Sequence, residues 1–306
     1  MPYVVSVPSG RGARLAGAGA RWAALRRSRP DLEPAVALER RLIEAQIDLL
    51  DTLEQGGGPR LSLPARYLAA KLARLVPAFA GEPVPLPVQI LGPALLDLCD
   101  ILADGGAGDP ARHVAAVLRD GSMDTKSLLS ASFSRDRRAI LSGATHRGLS
   151  PDLVWLAAEL AVSPFAHALQ QRIVAREADP ALETALARWS SGYCPACGSW
   201  PALAERVTGR DVLRCSFCAL AWTLPEGTCA YCGETGAMMA VPAGGSARHA
   251  LQTCRHCGGY LKGTTVDSLS PFPLVAIADL ETMTLDVIAM EQGFHRPDLR
   301  EFAAVR

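Results

Sequence analysis

Four C-x-x-C pairs constrain this chain more than any other feature. They are Cys194/Cys197, Cys215/Cys218, Cys229/Cys232 and Cys254/Cys257. Seventeen residues separate the first pair from the second, and 21 separate the third from the fourth. Only ten lie between the second and the third. The first and third pairs are followed directly by glycine, as CPACG and CAYCG. The segment therefore reads as a duplicated unit: a knuckle, a hairpin, then a second knuckle. The first hairpin turns at Thr208-Gly209-Arg210-Asp211 and the second at Gly244-Gly245.

This pattern has a physical reading. A C-x-x-C knuckle brings two sulfurs close enough to share one ion. A glycine after it tolerates positive φ, which lets local amides point at the sulfurs. Two knuckles make a four-sulfur tetrahedral shell suited to zinc or to a single rubredoxin-type iron, and the spacings are those of zinc ribbons. The expected ligands are Cys194, Cys197, Cys215 and Cys218 in one site and Cys229, Cys232, Cys254 and Cys257 in the other. A cross-braced arrangement, first pair with third and second with fourth, satisfies the same spacings. A thioredoxin-like dithiol needs a βαβ context that is missing around these pairs, and secreted disulfides need an export signal. A closed four-sulfur shell has no open position for substrate, so the metal is expected to staple small hairpins that lack a large core.

The rest of the chain is different in kind. Residues 1–190 hold one cysteine, Cys99, in the apolar run ALLDLCDIL, where it reads as a small buried hydrophobe. In LERRLIEAQIDLLDTLEQGGG, Ile43, Ile47 and Leu50 recur at helical spacing and Gly56 to Gly58 end the run. In PARYLAAKLARLVP, Leu68, Leu72 and Leu75 repeat the pattern and Pro77 stops it. The proline-rich AGEPVPLPVQILGP reads as an extended connection. Ser150-Pro151 and Ser163-Pro164 read as helix starts. Seven or eight helices in an irregular bundle are expected. In DLETMTLDVIAMEQGF, Leu280, Met283, Val287 and Met290 mark one helix face expected to dock on something apolar, with Gly293 closing the helix.

The fold class expected is a mainly α N-terminal domain, two small rubredoxin-like or zinc-ribbon β modules, and a C-terminal helix. The boundaries read as a flexible segment at 1–30, a helical domain at 31–190, ribbons at 191–226 and 227–270, and a helical tail at 271–306.

Charge and hydropathy narrow the partners. Lys plus Arg and Asp plus Glu are 31 each. Across 191–262 there are six basic and four acidic residues. Eight thiolates on two divalent ions would leave this region at about −2, so no nucleic-acid partner is expected. No apolar run reads as long enough to cross a bilayer, because VWLAAELAVSPFAHAL contains Glu159, Pro164 and His167. No export signal is read, and the chain is expected to be cytoplasmic without membrane insertion. His113, His146 and His167 are isolated, His256 is left unassigned, and no nucleophile is placed beside a base. No catalytic or cofactor-binding residue is assigned.

The segments CPACGSWP, CSFCALAW, CAYCGE and CRHCGGYLK, with the tail DLETMTLDVIAMEQGF, resemble the FdhE family, the formate dehydrogenase accessory proteins. The resemblance covers about 191–296. It implies a non-enzymatic maturation factor whose partner is the catalytic subunit of a respiratory formate dehydrogenase, matured in the cytoplasm before export. It implies two metal ions, iron or zinc, one per four-cysteine site, with the eight paired cysteines as ligands. Glu226 precedes the third pair where the family pattern carries a basic residue. An iron electron-transfer protein of rubredoxin type and, behind it, a nucleic-acid-binding ribbon protein are the alternative readings.

Overall fold

A computed structural model describes residues 3–58, 63–174, 179–241 and 248–297. In chain order the elements are β1 (Val4–Val5), α1 (Arg11–Ser28), α2 (Glu33–Gln55), α3 (Ala65–Ala73), α4 (Val88–Leu102), α5 (Gly108–Arg119), α6 (Thr125–Phe133), α7 (Arg137–His146), α8 (Pro151–Val174) and α9 (Pro180–Ala187). Then come β2 (Pro201–Val207), β3 (Arg210–Cys215), β4 (Ala221–Trp222), β5 (Met238–Val241), β6 (His249–Cys254), β7 (Tyr260–Thr265), α10 (Val275–Glu281) and α11 (Met283–Glu291). The result is a mainly helical N-terminal part followed by two β modules, each with four cysteines, and two tail helices. Among the described residues nine α-helices precede the paired cysteines, more than the seven or eight expected. The stretch read as flexible, residues 1–30, carries instead a strand and the helix α1.

Contacts divide the chain into two compact units. The helical unit gathers α1, α2, α4 to α7 and most of α8. Its core takes Ile43, Ile47 and Leu50 from α2, as their spacing predicts, with Leu91 and Leu95 of α4 and Val154, Val162 and Phe165 of α8. Aspartates start two of the short helices: Asp124 accepts from the Ser127 amide (2.7 Å) and Asp136 from the Ala139 amide (2.9 Å).

The second unit gathers β1, α3, α9, the whole sheet and the tail helices. The boundary expected at 190 is therefore not where the units part. The cause is a set of non-local bonds. The amides of Ala78 and Phe79, just past α3, donate to the carbonyls of Pro195 (2.8 Å) and Ala196 (2.9 Å). The Tyr193 hydroxyl donates to the Leu75 carbonyl (2.7 Å). Leu75 lies outside α3 with φ +58 and is exposed, so of the expected stripe Leu68 and Leu72 are buried, joined by Ala69.

Pro164 does not start a helix, contrary to the reading of Ser163-Pro164. It lies inside α8, which runs unbroken over 24 residues. A proline there leaves the carbonyl four residues back without its amide. That carbonyl is on Leu160. The buried Gln46 of α2 donates to it from Nε2 (3.1 Å), and the Ser163 hydroxyl donates at 3.4 Å. Among the described residues α8 is the one helix long and apolar enough to cross a membrane, and most of its apolar stretch is buried within the protein. The proline-rich stretch is extended only as far as Pro87, where α4 begins.

The seven strands form one mixed sheet in the order β1-β4-β3-β2-β7-β6-β5. The β2–β3 hairpin turns at Thr208 (φ +48) and Gly209 (φ +82), a two-residue loop with both φ positive. The loop expected at Gly244-Gly245 lies outside the described residues, but the strands it joins, β5 and β6, pair antiparallel. The modules meet where β2 pairs parallel with β7, Ala204 opposite Gly263. Strand β1 covers the free edge of β4.

Among the described residues the tail is two helices rather than one, α10 ending at Glu281 and Thr282 joining it to α11. Leu285 and Ala289 of α11 face Leu251 and Tyr260 of the sheet. Of the expected stripe, Leu280 and Met283 are half-buried, while Val287 and Met290 are exposed. The helix rolls because buried Lys262 of β7 pulls Asp286 inward (2.6 Å). Gly293 has φ +82, and the amide of Phe294 donates to the Ala289 carbonyl (3.0 Å), closing the helix as its position predicts.

Candidate metal centres

All four knuckles fold the same way. In each, the amide of the first cysteine donates to the carbonyl five residues on: Cys194 to Ser199 (2.9 Å), Cys215 to Leu220 (2.9 Å), Cys229 to Glu234 (2.9 Å) and Cys254 to Gly259 (2.8 Å). The residue after the second cysteine then needs positive φ. Gly198, Gly233 and Gly258 supply it at +82, +78 and +71, and Ala219 does so without being glycine, at +54. Backbone amides consequently aim at sulfur. Phe217 and Cys218 donate to Cys215 Sγ, and Tyr231 to Cys229 Sγ, all at 3.4 Å.

The hairpins bring the knuckles together in two groups. Cys194, Cys197, Cys215 and Cys218 form one and Cys229, Cys232, Cys254 and Cys257 the other, with all sulfurs of a group within 4.8 Å of one another. The first pair thus meets the second and the third meets the fourth, not crosswise. Sulfur separations are 3.6 Å for Cys194–Cys218, 3.4 Å for Cys197–Cys215, 3.8 Å for Cys229–Cys257 and 3.7 Å for Cys232–Cys254. A tetrahedron with metal–sulfur bonds of about 2.3 Å has edges of about 3.8 Å. These separations fit that figure and are far too long for disulfides, which measure about 2 Å. The two clusters could each hold a metal ion.

The electrostatics favour a cation. Burial pushes the thiols of Cys194 and Cys218 well above their ordinary range, and does the same to Cys229. Burial acts on Cys197 too, but hydrogen bonds from Cys194, Cys215, Cys218 and Ser199 outweigh it and hold that thiol well below. Four crowded, buried sulfurs cannot all carry charge without compensation. A divalent ion supplies the charge that lets all four ionise. Cys99 is elsewhere, buried in α4, where desolvation pushes its thiol up to about 12.

Several residues that fix these centres were not apparent from the spacing. Arg214, beside Cys215, is wholly buried. It pairs with buried Glu205 and donates to the carbonyls of Ala219 (3.1 Å) and Ser270 (2.6 Å). Glu205 also accepts from the Ser270 amide (3.0 Å). The arginine thus ties the second knuckle to both hairpin strands. A charged residue at an inward-facing strand position was the available signal. Gly192 lies against the third knuckle: a Cβ there would meet the Ala230 carbonyl oxygen at 1.7 Å. Trp200, after the first knuckle, stacks edge-on against Tyr231 inside the third, centroids 5.5 Å apart. His256 belongs to neither sulfur group.

No family model matches the chain. Curated relatives named Protein FdhE homolog match part of it. That of Stutzerimonas stutzeri is 31% identical over 109 residues, covering 34% of this chain and 35% of its own. That of Pectobacterium carotovorum subsp. carotovorum is 31% identical over 116 residues, covering 36% and 37%. The match spans about a third of the length of these relatives. The crystal structure of the FdhE protein from Pseudomonas aeruginosa superposes with a TM-score of 0.62 over 98% of both chains, at 24% identity, a likeness of fold.

Proposed function

We propose, from the support these relatives and that structure give to the FdhE family, that this chain is a non-enzymatic accessory factor of formate dehydrogenase. It binds the catalytic subunit of a respiratory enzyme in the cytoplasm and supports its assembly or activation. The eight paired cysteines hold two ions, iron or zinc, one in each group. The observation that carries the reading is the pair of four-sulfur groups set side by side on one sheet. When bound, each ion supplies a crosslink with all its positions taken by sulfur, which suits a rigid docking surface rather than substrate activation. The sheet and the α11 face bearing Val287 and Met290 form that surface. An exposed apolar face beside a rigid scaffold fits a protein partner.

A strain lacking the gene tests the reading. Formate-dependent respiratory activity falls, and the wild-type gene restores it. Unchanged activity refutes the assignment. Anaerobic affinity capture is expected to retain the formate dehydrogenase catalytic subunit, with two equivalents of metal in the same sample.

A further inference from the structure

The two sulfur groups share one repeat but are not equally enclosed. In the first, Cys194, Cys197, Cys215 and Cys218 are all buried, none more than 5% exposed. The loop after α3 pins its first knuckle from outside. Trp189, Tyr193, Phe217 and Trp222 are buried in the same stretch of chain, and the Ser199 hydroxyl lies 3.4 Å from the Cys197 sulfur. In the second, Cys229 and Cys254 are buried, Cys257 is half-buried and Cys232 is exposed. Residues 233–236, which follow Cys232, are all exposed as well. One corner of the second tetrahedron therefore opens to solvent.

We infer that the second centre exchanges its ion through Cys232 while the first retains its own. The ligand class it takes is an incoming thiolate or other soft donor. That donor occupies the coordination position as the Cys232 sulfur leaves it. One metal–sulfur bond would break as another forms, and no electron moves. Cys229, Cys254 and Cys257 hold the ion meanwhile. Residues 233–236 carry no buried side chain, so turning the Cys232 side chain outward uncovers no core, and the backbone bonds that tie Gly233 and Glu234 to Cys229 stay in place. At the first centre any comparable step requires opening the core.

The inference rests on the ligand reading proposed above, and metal content separates the two. The intact chain is loaded, its metal measured, and a chromophoric chelator added in excess. Two equivalents are expected, one leaving about 10- to 100-fold faster than the other, the range seen when a ligand's support is removed. Cys232→Ser is expected to leave the slow phase unchanged and to release the second ion faster still, from the three sulfurs that remain. A second measurement needs no variant: a short iodoacetamide pulse on the loaded wild-type chain, mapped by mass spectrometry, modifies Cys232 ahead of the first centre's cysteines. Loss of both ions at one rate, a Cys232→Ser variant whose slow phase changes while its fast phase does not, or equal labelling of both groups overturns the inference. A chain that binds fewer than two ions overturns the ligand reading, and this inference with it.

Discussion

Replacing Glu205 with Gln keeps the side chain's shape and removes its charge. Its partner Arg214 is wholly buried, as is Glu205 itself. Burial pushes the Arg214 pKa down and the Glu205 charge works against that. Without the carboxylate, a guanidinium stays charged in the interior with only neutral oxygens around it, among them the carbonyls of Ala219 and Ser270. Breaking one side of such a pair costs about 3–5 kcal/mol, a large share of the roughly 5–15 kcal/mol that holds a domain together. Arg214→Met alone leaves a buried carboxylate and costs a similar amount. The double substitution removes both charges and is expected to cost about as much as one single change. The coupling between the two sites should then be at least about 2 kcal/mol. Urea unfolding of the metal-loaded chain, followed by circular dichroism and by metal release, measures all four proteins. Arg214 holds the Ala219 carbonyl, so the first centre should release its ion along with the unfolding transition of the single variants. Costs that add within about 0.5 kcal/mol would refute the argument that the two charges act as one unit.

Other consequences can be measured independently. Gln46→Leu leaves the Leu160 carbonyl opposite Pro164 with only the long Ser163 contact, and should destabilise the helical unit by about 1–3 kcal/mol in denaturant unfolding. Gly192→Ala drives a methyl group into the Ala230 backbone, so a loss of about 3 kcal/mol and weaker metal retention at the second centre are expected from thermal melts and metal analysis. Thr208→Asn places a residue that tolerates positive φ in an exposed tight turn, and a gain of about 1 kcal/mol should appear as a raised melting temperature. Burial raises the Asp279 carboxyl, but Arg296 and Lys262 more than offset it and hold its pKa below the ordinary 3.8. Its stabilisation is therefore complete above the ordinary value and is lost as pH falls through the lower, folded one. Hydrogen exchange across α10 and α11 should rise only in that acid window, and Lys262→Met should move the rise to higher pH.

The local features of this chain are the ones its sequence states openly. The eight paired cysteines, the turn at Thr208-Gly209, the buried stripe Ile43, Ile47 and Leu50, and the closing Gly293 all depend on neighbours within a few residues. Spacing and backbone preference settle those cases. What escaped depends on partners far along the chain. Pro164 stays inside a helix because Gln46, more than a hundred residues earlier, takes over a hydrogen bond. Residues 63–80 join the sheet-bearing unit because Ala78 and Phe79 bond to the first knuckle. Helix α11 turns Val287 and Met290 outward because Lys262 draws in Asp286, and periodicity cannot anticipate a buried ion pair. Knuckle spacing allowed two ways of grouping the cysteines; the strand order excludes one of them.

That strand order also carries a statement about symmetry. Strands β4 and β7 occupy equivalent places in the two repeats, and β2 lies parallel to β7. The repeats are thus related by a step along the sheet, not by a twofold axis. A twofold axis would give both centres identical surroundings. A step cannot, because it makes one repeat interior and the other terminal. The first repeat has a neighbour on each flank, β1 against β4 and β7 against β2, whereas the outer side of β5 ends the series. Two repeats of one knuckle–hairpin–knuckle pattern thereby acquire different environments with no difference in their ligands, and a third repeat added beyond β5 would turn the terminal position into an interior one.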